Sequence, residues 1–420
     1  MPRTYTLAER GTICRATDYP GQVATAQNLL LPDADFDALR QWATRPTADL
    51  ALDSVLTYGF FRGRERVVWR NYVGVLALAT GTYLEIRPRA GQLVNLLRQL
   101  PDPAFRHLPD APLGATALPL WEVFAGAFLH QTYLALATGP VRAYTVEQAT
   151  LPLLRGKLRL ADHLRQPFPR PDRLPVAYAS HTPDIPANRV LKTALLHLAP
   201  RLGQVATQTR CRQLLLALAA VPMCANLPAD LLATQLPGRL LRTYEPALRW
   251  ATWLLTGQGP GLCAGNTPAP CLLFPMERLF EQYVAQGLRR AGVAVAVQET
   301  AAWLVDDHRG VPRFRLRPDL VLRQGHKTVV MDTKWKTLDA RDPARNYGID
   351  QADLYQLYAY GKKYAATDLV LIYPANEQFR HPLDLFGFDE TLPLRVVPFD
   401  LDQPLNQEVA RLLATVLGHS

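Results

Sequence analysis

Residues able to support metal-assisted hydrolysis gather over a short stretch of this sequence. Asp319 follows Pro318, and further on Asp332 and Lys334 flank Thr333. The runs Phe314 to Leu322 and Thr328 to Lys336 both alternate, and Gln324-Gly325-His326-Lys327 between them suits a two-residue type II′ hairpin turn. That turn sets Asp319 opposite Asp332. One face of the hairpin then carries Leu316, Pro318, Leu320 and Leu322 against Val329, Met331, Thr333 and Trp335. The other carries Arg315, Arg317, Asp319, Val321 and Arg323 against Val330, Asp332, Lys334 and Lys336. A slip of one residue would bury the charges, so the register is well specified.

Carboxylates opposed across a sheet stand about 5 Å apart and repel. A divalent cation would offset that repulsion, and hard oxygen ligands suit Mg²⁺. Asp319, Asp332 and the Thr333 carbonyl are the expected ligands, with Lys334 beside them to stabilise a phosphate or a hydroxide nucleophile. The plainer alternative is that both aspartates pair with Arg317 and Lys334 on a solvated face. On a helix expected from Phe274 to Arg290, Glu277 and Glu281 both border the apolar stripe, and either could supply a further acid. On a later helix, expected from Asp350 to Tyr364, Gln356 and Tyr360 share a face and could hold the scissile phosphate or a neighbouring nucleotide. Packing tyrosines are the competing explanation there.

The elements that must position these groups follow the order α, β, β, β, α, β, with strands expected at Ala294 to Glu299, Phe314 to Leu322, Thr328 to Trp335 and Leu369 to Tyr373. A strand at Val396 to Phe399 and a helix from about Asn406 to Leu417 complete the region. Upstream, residues 1–110 read as a β-rich domain with a helix from Phe36 to Ala43 capped by Asp33 or Asp35. Residues 111–257 read as mainly helical, interrupted by a proline-broken basic stretch from Arg155 to Arg173. Gly257 to Pro270 reads as a linker, and 271–420 as the catalytic domain. The fold class expected is therefore α/β multidomain.

Composition narrows the class. The chain has 420 residues, 48% hydrophobic and 20% charged, which suits a folded soluble protein of two or three domains. No apolar run is long enough to span a membrane, and the N-terminus lacks a secretion-type apolar segment. Five scattered cysteines without a CxxC pair argue against a zinc site or disulfide framework and fit a reducing cytoplasm. The net charge is +9, and the excess lies in the first 270 residues. Within the rest, Arg309 to Arg345 holds ten basic and four acidic residues. Arg155, Lys157, Arg159, Arg165, Arg170 and Arg173 could touch a DNA backbone, line a partner interface, or simply be solvated. No aromatic platform for a flipped base is evident, so reading of a modified base is not assigned to this chain.

The order of elements with P-D, D-x-K and Q-x-x-x-Y resembles the PD-(D/E)xK nuclease superfamily. RPDLVL, MDTKWK and DLYQLYAYGKKY are further similar to the McrC family, the nuclease subunit of McrBC modified-cytosine restriction systems. So are NYVGVLALATGTYLEIRPR, LLRGKLRL, NRVLKTAL and LFEQYV, which extends the likeness from about residue 65 to 375. The resemblance implies a catalytic set of Asp319, Asp332 and Lys334, with Glu281 as the helix acid and metal ligand, and Gln356 and Tyr360 as the Q-x-x-x-Y pair. Glu277 stands where a neutral polar residue is expected. Arg89 stands where a lysine is usual, with its charge kept. The implied activity is Mg²⁺-dependent cleavage of double-stranded, modified DNA. The implied partner is an McrB-like GTP-driven AAA+ ring, docked by the N-terminal and helical regions, whose GTPase the chain stimulates. No GxxxxGKS or GxxxxGKT loop is present, so nucleotide hydrolysis is expected of the partner. The rival expectations are an NTPase-activating adaptor with an unused nuclease fold, and a stand-alone DNA-repair nuclease.

Overall fold

The computed structural model describes residues 3–44, 55–108, 118–164, 172–234, 236, 238–257, 271–384, 386–387 and 392–418. The linker expected at Gly257 to Pro270 lies, apart from Gly257, outside the described residues, as do Arg165 and Arg170. Contacts divide the chain into two compact units. One spans 121–258, and the other joins 3–120 to 271–420.

The first unit is helical, as expected, with long helices at Leu120–Ala135, Pro186–Leu198, Val205–Ala217 and Gly238–Thr256. It also holds an antiparallel three-stranded sheet that the sequence reading missed, built from Ala143–Leu151, Leu174–Thr182 and the short Lys157–Leu158. Ala143–Leu151 alternates half-buried and exposed positions, a period-two signal that the helical pattern on either side obscured. Within the basic stretch, the Arg155 guanidinium stacks on Tyr178 and Arg159 pairs with Asp162.

In the second unit the N-terminal part is β-rich. Tyr72–Ala77 and Tyr83–Arg87 form a hairpin extended on one side by Thr4–Ala8 and on the other by Cys271–Pro275. Gly74, at φ +128°, is what permits the last pairing: a Cβ there would meet the Leu272 carbonyl oxygen at 2.0 Å. A second sheet runs in the order Asn28–Leu31, Thr12–Arg15, Arg64–Trp69, Leu56–Phe61. The helix over it is Asp33–Ala43, and the expected aspartate cap is replaced by Pro32, which makes no side-chain cap. Asp33 instead accepts from Thr17, and Asp35 from Thr80 and Thr82.

The C-terminal part holds Met276–Arg290, Val295–Val297, Leu320–Gln324, Lys327–Thr333, Gln351–Lys363 and Asp368–Pro374 in the order expected, but two further strands, Trp303–His308 and Val311–Arg315, intervene after Val295–Val297. Pro393–Phe399 and Leu405–Leu417 follow. The strands lie in a mixed sheet in which Lys327–Thr333 pairs antiparallel with Leu320–Gln324 and parallel with Asp368–Pro374. Val329, Val330 and Met331 are almost wholly buried, so this central strand is covered on both faces. The face carrying Val321 and Val330 packs in one cluster with Leu357 and Tyr360, which places Gln351–Lys363 above it.

The hairpin register is as expected, with Leu320 opposite Met331 and Gln324 opposite Lys327. Gly325 takes φ +58° at the first turn position, as a type II′ turn requires. One expectation fails. The run Phe314 to Leu322 is not a single strand: Val311–Arg315 pairs with Trp303–His308 in a separate ribbon, and the sheet strand begins only at Leu320. Proline has no amide N–H for a ladder, and Pro318 stands in the gap. The charged face was also over-read, because Val321 and Val330 on it are core.

Cys14, Cys211 and Cys224 are free thiols. Cys271 is disulfide-bonded. A pattern without CxxC speaks against a zinc framework but not against one local pairing. Among the described residues no helix is long and apolar enough to cross a membrane.

Candidate active site

Asp332 is carried out of the core at the end of the central strand, one residue after Met331. It is 3% exposed, and its Oδ2 stands 2.8 Å from the Lys334 ammonium. That ion pair is the oxygen's one polar contact among the described residues. Burial first, and then the Asp319 charge, push the Asp332 carboxyl well above the usual range, against the pull of Lys334. Burial works to discharge Lys334, but the Asp332 carboxylate outweighs it and raises the lysine as well.

Asp319 sits just before the facing strand, and its Oδ2 accepts from the Thr333 amide at 2.8 Å and the Thr333 hydroxyl at 2.9 Å. Thr333 therefore anchors the opposite acid through its own N–H and O–H. The neighbouring Oδ1 accepts from Gln298 Nε2 at 3.2 Å, and the same amide reaches Glu281 Oε1 at 2.5 Å. Glu281 thus belongs to the cluster, whereas Glu277, one turn earlier, is exposed. Burial, with the Asp319 charge, lifts Glu281 to about 6.

The later helix closes the other side. Its N-cap is Asp350, which accepts from the Ala352 amide. Lys334 Nζ donates to Gln356 Oε1 at 3.1 Å, Gln356 Nε2 donates to the Tyr360 hydroxyl at 2.7 Å, and Tyr360 donates to the Arg317 carbonyl at 3.2 Å. This chain ties the helix to the segment just before Asp319. Hydrogen bonds thus join Glu281, Gln298, Asp319 and Thr333 in one set and Lys334, Gln356 and Tyr360 in another, with Asp332 paired to Lys334, and the consecutive residues Asp332, Thr333 and Lys334 bring the two sets side by side.

The donor set suits a hard divalent cation: carboxylate oxygens at Asp319, Asp332 and Glu281, with the buried Asp332 Oδ2 held by the Lys334 ion pair alone. Among the described residues no three acidic, histidine or cysteine side chains stand as a ready-made ligand cluster. The Gln298 amide donates to both Glu281 and Asp319.

The sequence model of the McrBC 5-methylcytosine restriction system component family matches residues 67–374. This chain belongs to that family. A chain of the Thermococcus gammatolerans assembly of McrB AAA+ hexamers with bound McrC is similar over 98% of this chain and 100% of its own, with TM-score 0.70 and 17% identity. At that identity the likeness is one of fold. A chain of the T. gammatolerans McrBC complex is similar over 68% of this chain and 87% of its own, at 19% identity and TM-score 0.46. No curated protein matches the sequence.

The family match spans every site residue named above. Three further groups lie at or beside the site that sequence reasoning did not name. Gln298 adopts φ +51° as it leaves the Val295–Val297 strand, and its own amide donates to the Asp319 carbonyl at 2.9 Å. Asp353 pairs with Lys336 at 2.7 Å and lies 3.7 Å from Lys334, steadying both lysines. Tyr373 has a buried hydroxyl without a hydrogen bond among the described residues, and burial raises its pKa. Only Asp353 had a signal in sequence, one turn before Gln356 on the same helix.

Proposed function

We propose that this chain is the McrC-like nuclease subunit of its restriction system, a Mg²⁺-dependent endonuclease of the PD-(D/E)xK type. It hydrolyses phosphodiester bonds of double-stranded, modified DNA in the cytoplasm. An McrB-like, GTP-driven AAA+ partner controls it, docks on its N-terminal and helical regions, and has its GTPase stimulated in return. The observation that carries this reading is the Asp332–Lys334 ion pair lying within the field of Asp319, with Gln356 and Tyr360 bonded on from Lys334 and Glu281 bridged to Asp319 by Gln298.

Asp319, Asp332, the Thr333 carbonyl and Glu281 are the groups that would hold the ion. When bound there, Mg²⁺ supplies an acidified water and charge neutralisation at the phosphate. The protein's own part is positioning. Thr333 holds Asp319 by two hydrogen bonds, so that carboxylate enters the reaction already oriented. Lys334 places a fixed positive charge beside the reacting phosphate, where it stabilises charge as it develops. Gln356 orients that ammonium, and Tyr360 orients Gln356.

The test is cleavage of a cytosine-methylated duplex by the full chain with its AAA+ partner, GTP and Mg²⁺. Asp332→Ala and Lys334→Ala lower cleavage by at least about 10²-fold, the scale of a lost charge-stabilising group, while partner GTPase stimulation survives. Cleavage retained by the Asp332 variant ends the assignment. The adaptor reading draws on one observation, the Gln298 amide shared by Glu281 and Asp319, and wins if the wild-type chain stimulates GTP hydrolysis but never cuts.

A further inference from the structure

The hairpin Leu56–Phe61 and Arg64–Trp69 begins outside the family-matched region and carries two unlike faces. One face, with Glu65, Val67 and Trp69, lies against the helix Asp33–Ala43. Trp69 stacks on Trp42, and Arg15 and Arg40 meet Asp37 and Glu65. The charges on that side are mutually neutralised.

Among the described residues no α-helix lies over the other face, and Tyr19, just after the short turn Ala16–Asp18, reaches it. Phe61 stands opposite Arg64, and Arg66 lies next along the same face. The Arg66 and Arg62 guanidinium groups both stack on the Phe61 ring, at 4.6 and 5.2 Å from its centre. Arg64 stacks on Tyr19 at 4.8 Å. Among the described residues none of these three arginines forms a salt bridge. The acid on this side, Asp18, is near enough to Cys14 to raise its thiol but pairs with none of them. The turn is tight, with φ +52° at Arg62 and +76° at Gly63, so an arginine is held at the tip in a conformation that favours glycine.

Aromatic rings that seat guanidinium groups face to face leave the N–H edges free for an anion. We propose that this arginine–aromatic face is a docking surface for the phosphodiester backbone of duplex DNA, separate from the cleavage centre. The inference rests on DNA being the substrate. Two cations on one sheet face and a third at its tip, with Asp18 the one acid beside them among the described residues, are complementary to a polyanion, and the contact reads no bases.

The experiment uses the full chain, without partner and with EDTA in place of Mg²⁺, and a fluorescein-labelled duplex of 30 base pairs read by anisotropy across a salt series. Arg62 and Arg64 are both exposed, so the double variant Arg62→Gln/Arg64→Gln keeps the fold, as thermal unfolding checks. Loss of two phosphate contacts lowers the slope of log affinity against log salt by about two and weakens binding several-fold at 0.1 M salt. Phe61→Leu, which removes the ring but no charge, weakens binding less and leaves most of the slope. An unchanged slope and affinity in the double variant overturn the proposal, as does a wild-type chain that binds no duplex. Loss of AAA+ partner capture with DNA binding intact reassigns the face to protein docking. A wild-type chain that binds with the expected slope yet never cuts ends the nuclease reading and leaves this one standing.

Discussion

Replacing Lys334 by methionine removes the ammonium from Asp332 while keeping most of the side-chain volume. The pair is buried, with side chains 18% and 4% exposed and 2.8 Å apart. Breaking such a pair costs about 3–5 kcal/mol when the orphaned group stays charged. Asp332 has an escape, because burial and Asp319 already hold its carboxyl above the usual range and a proton neutralises it. Below the ordinary carboxylate pKa the group is protonated both folded and unfolded. The variant then loses only the Gln356 hydrogen bond and the Asp353 contact, about 1 kcal/mol. As pH rises past that value the unfolded chain gives up the proton first, so both proteins lose stability. The wild type levels off once Asp332 ionises against Lys334. The variant, whose carboxyl is higher still, continues to fall at about 1.4 kcal/mol per pH unit. The gap between the two therefore widens with pH, up to the ceiling of about 3–5 kcal/mol. Hydrogen exchange of the Lys327–Thr333 amides in EDTA at pH 5, 7 and 9, corrected for intrinsic rates, reads the stability of the strand itself. A gap that is the same at all three values, or already large at pH 5, refutes the reasoning.

Three further outcomes follow from the same geometry. Mg²⁺ affinity rises with pH through about 6, because Glu281 and Asp332 must lose protons to become ligands; calorimetry in two buffers of different ionisation enthalpy shows proton release, and a pH-independent affinity contradicts it. Gln298→Ala removes the donor shared by Glu281 and Asp319 and lowers thermal stability in EDTA by about 1–3 kcal/mol; Mg²⁺ recovers part of that loss, and an unchanged melting temperature in EDTA counts against the bridge. Glu277→Gln leaves cleavage within about twofold, as for an ordinary surface change, whereas Glu281→Gln lowers it by at least about tenfold; the reverse order would move the helix acid to Glu277.

What was legible in the sequence is what is local. Period-two alternation and a Gly-X turn were enough to set Leu320 against Met331, and with that register the approach of Asp319 to Asp332 follows. The order of helices and strands in the C-terminal part was legible for the same reason, since each element carries its own period. The break at Pro318 had a signal, the missing N–H, that the alternation on either side overrode. Contacts between distant segments had none. Nothing local shows that Cys271–Pro275 adds to the Tyr72–Ala77 edge, apart from a glycine at 74 whose use depends on the pairing itself. Gln298 was invisible in the same way. An isolated glutamine after a short strand means little until the strand is placed beside Leu320–Leu322 and the side chain falls between two acids.

Repulsion between opposed aspartates argues for a metal ion from sequence, and the geometry alters that argument. Asp319 is satisfied by Thr333 and Gln298, and Asp332 by Lys334, so the protein offsets the repulsion with its own donors. The case for a cation moves to the asymmetry of those donors. Thr333 gives Asp319 two firm hydrogen bonds, and they hold it in place whatever else binds. Asp332 has only the ion pair to Lys334, and Glu281 has only an amide it shares, with both carboxyls pushed toward neutrality. Each of those two acids thus has one internal partner that a divalent cation could replace, whereas Asp319 keeps its two Thr333 hydrogen bonds. A site so arranged would take up an ion when pH and substrate favour the ionised carboxylates, and would return to its internal partners when they do not.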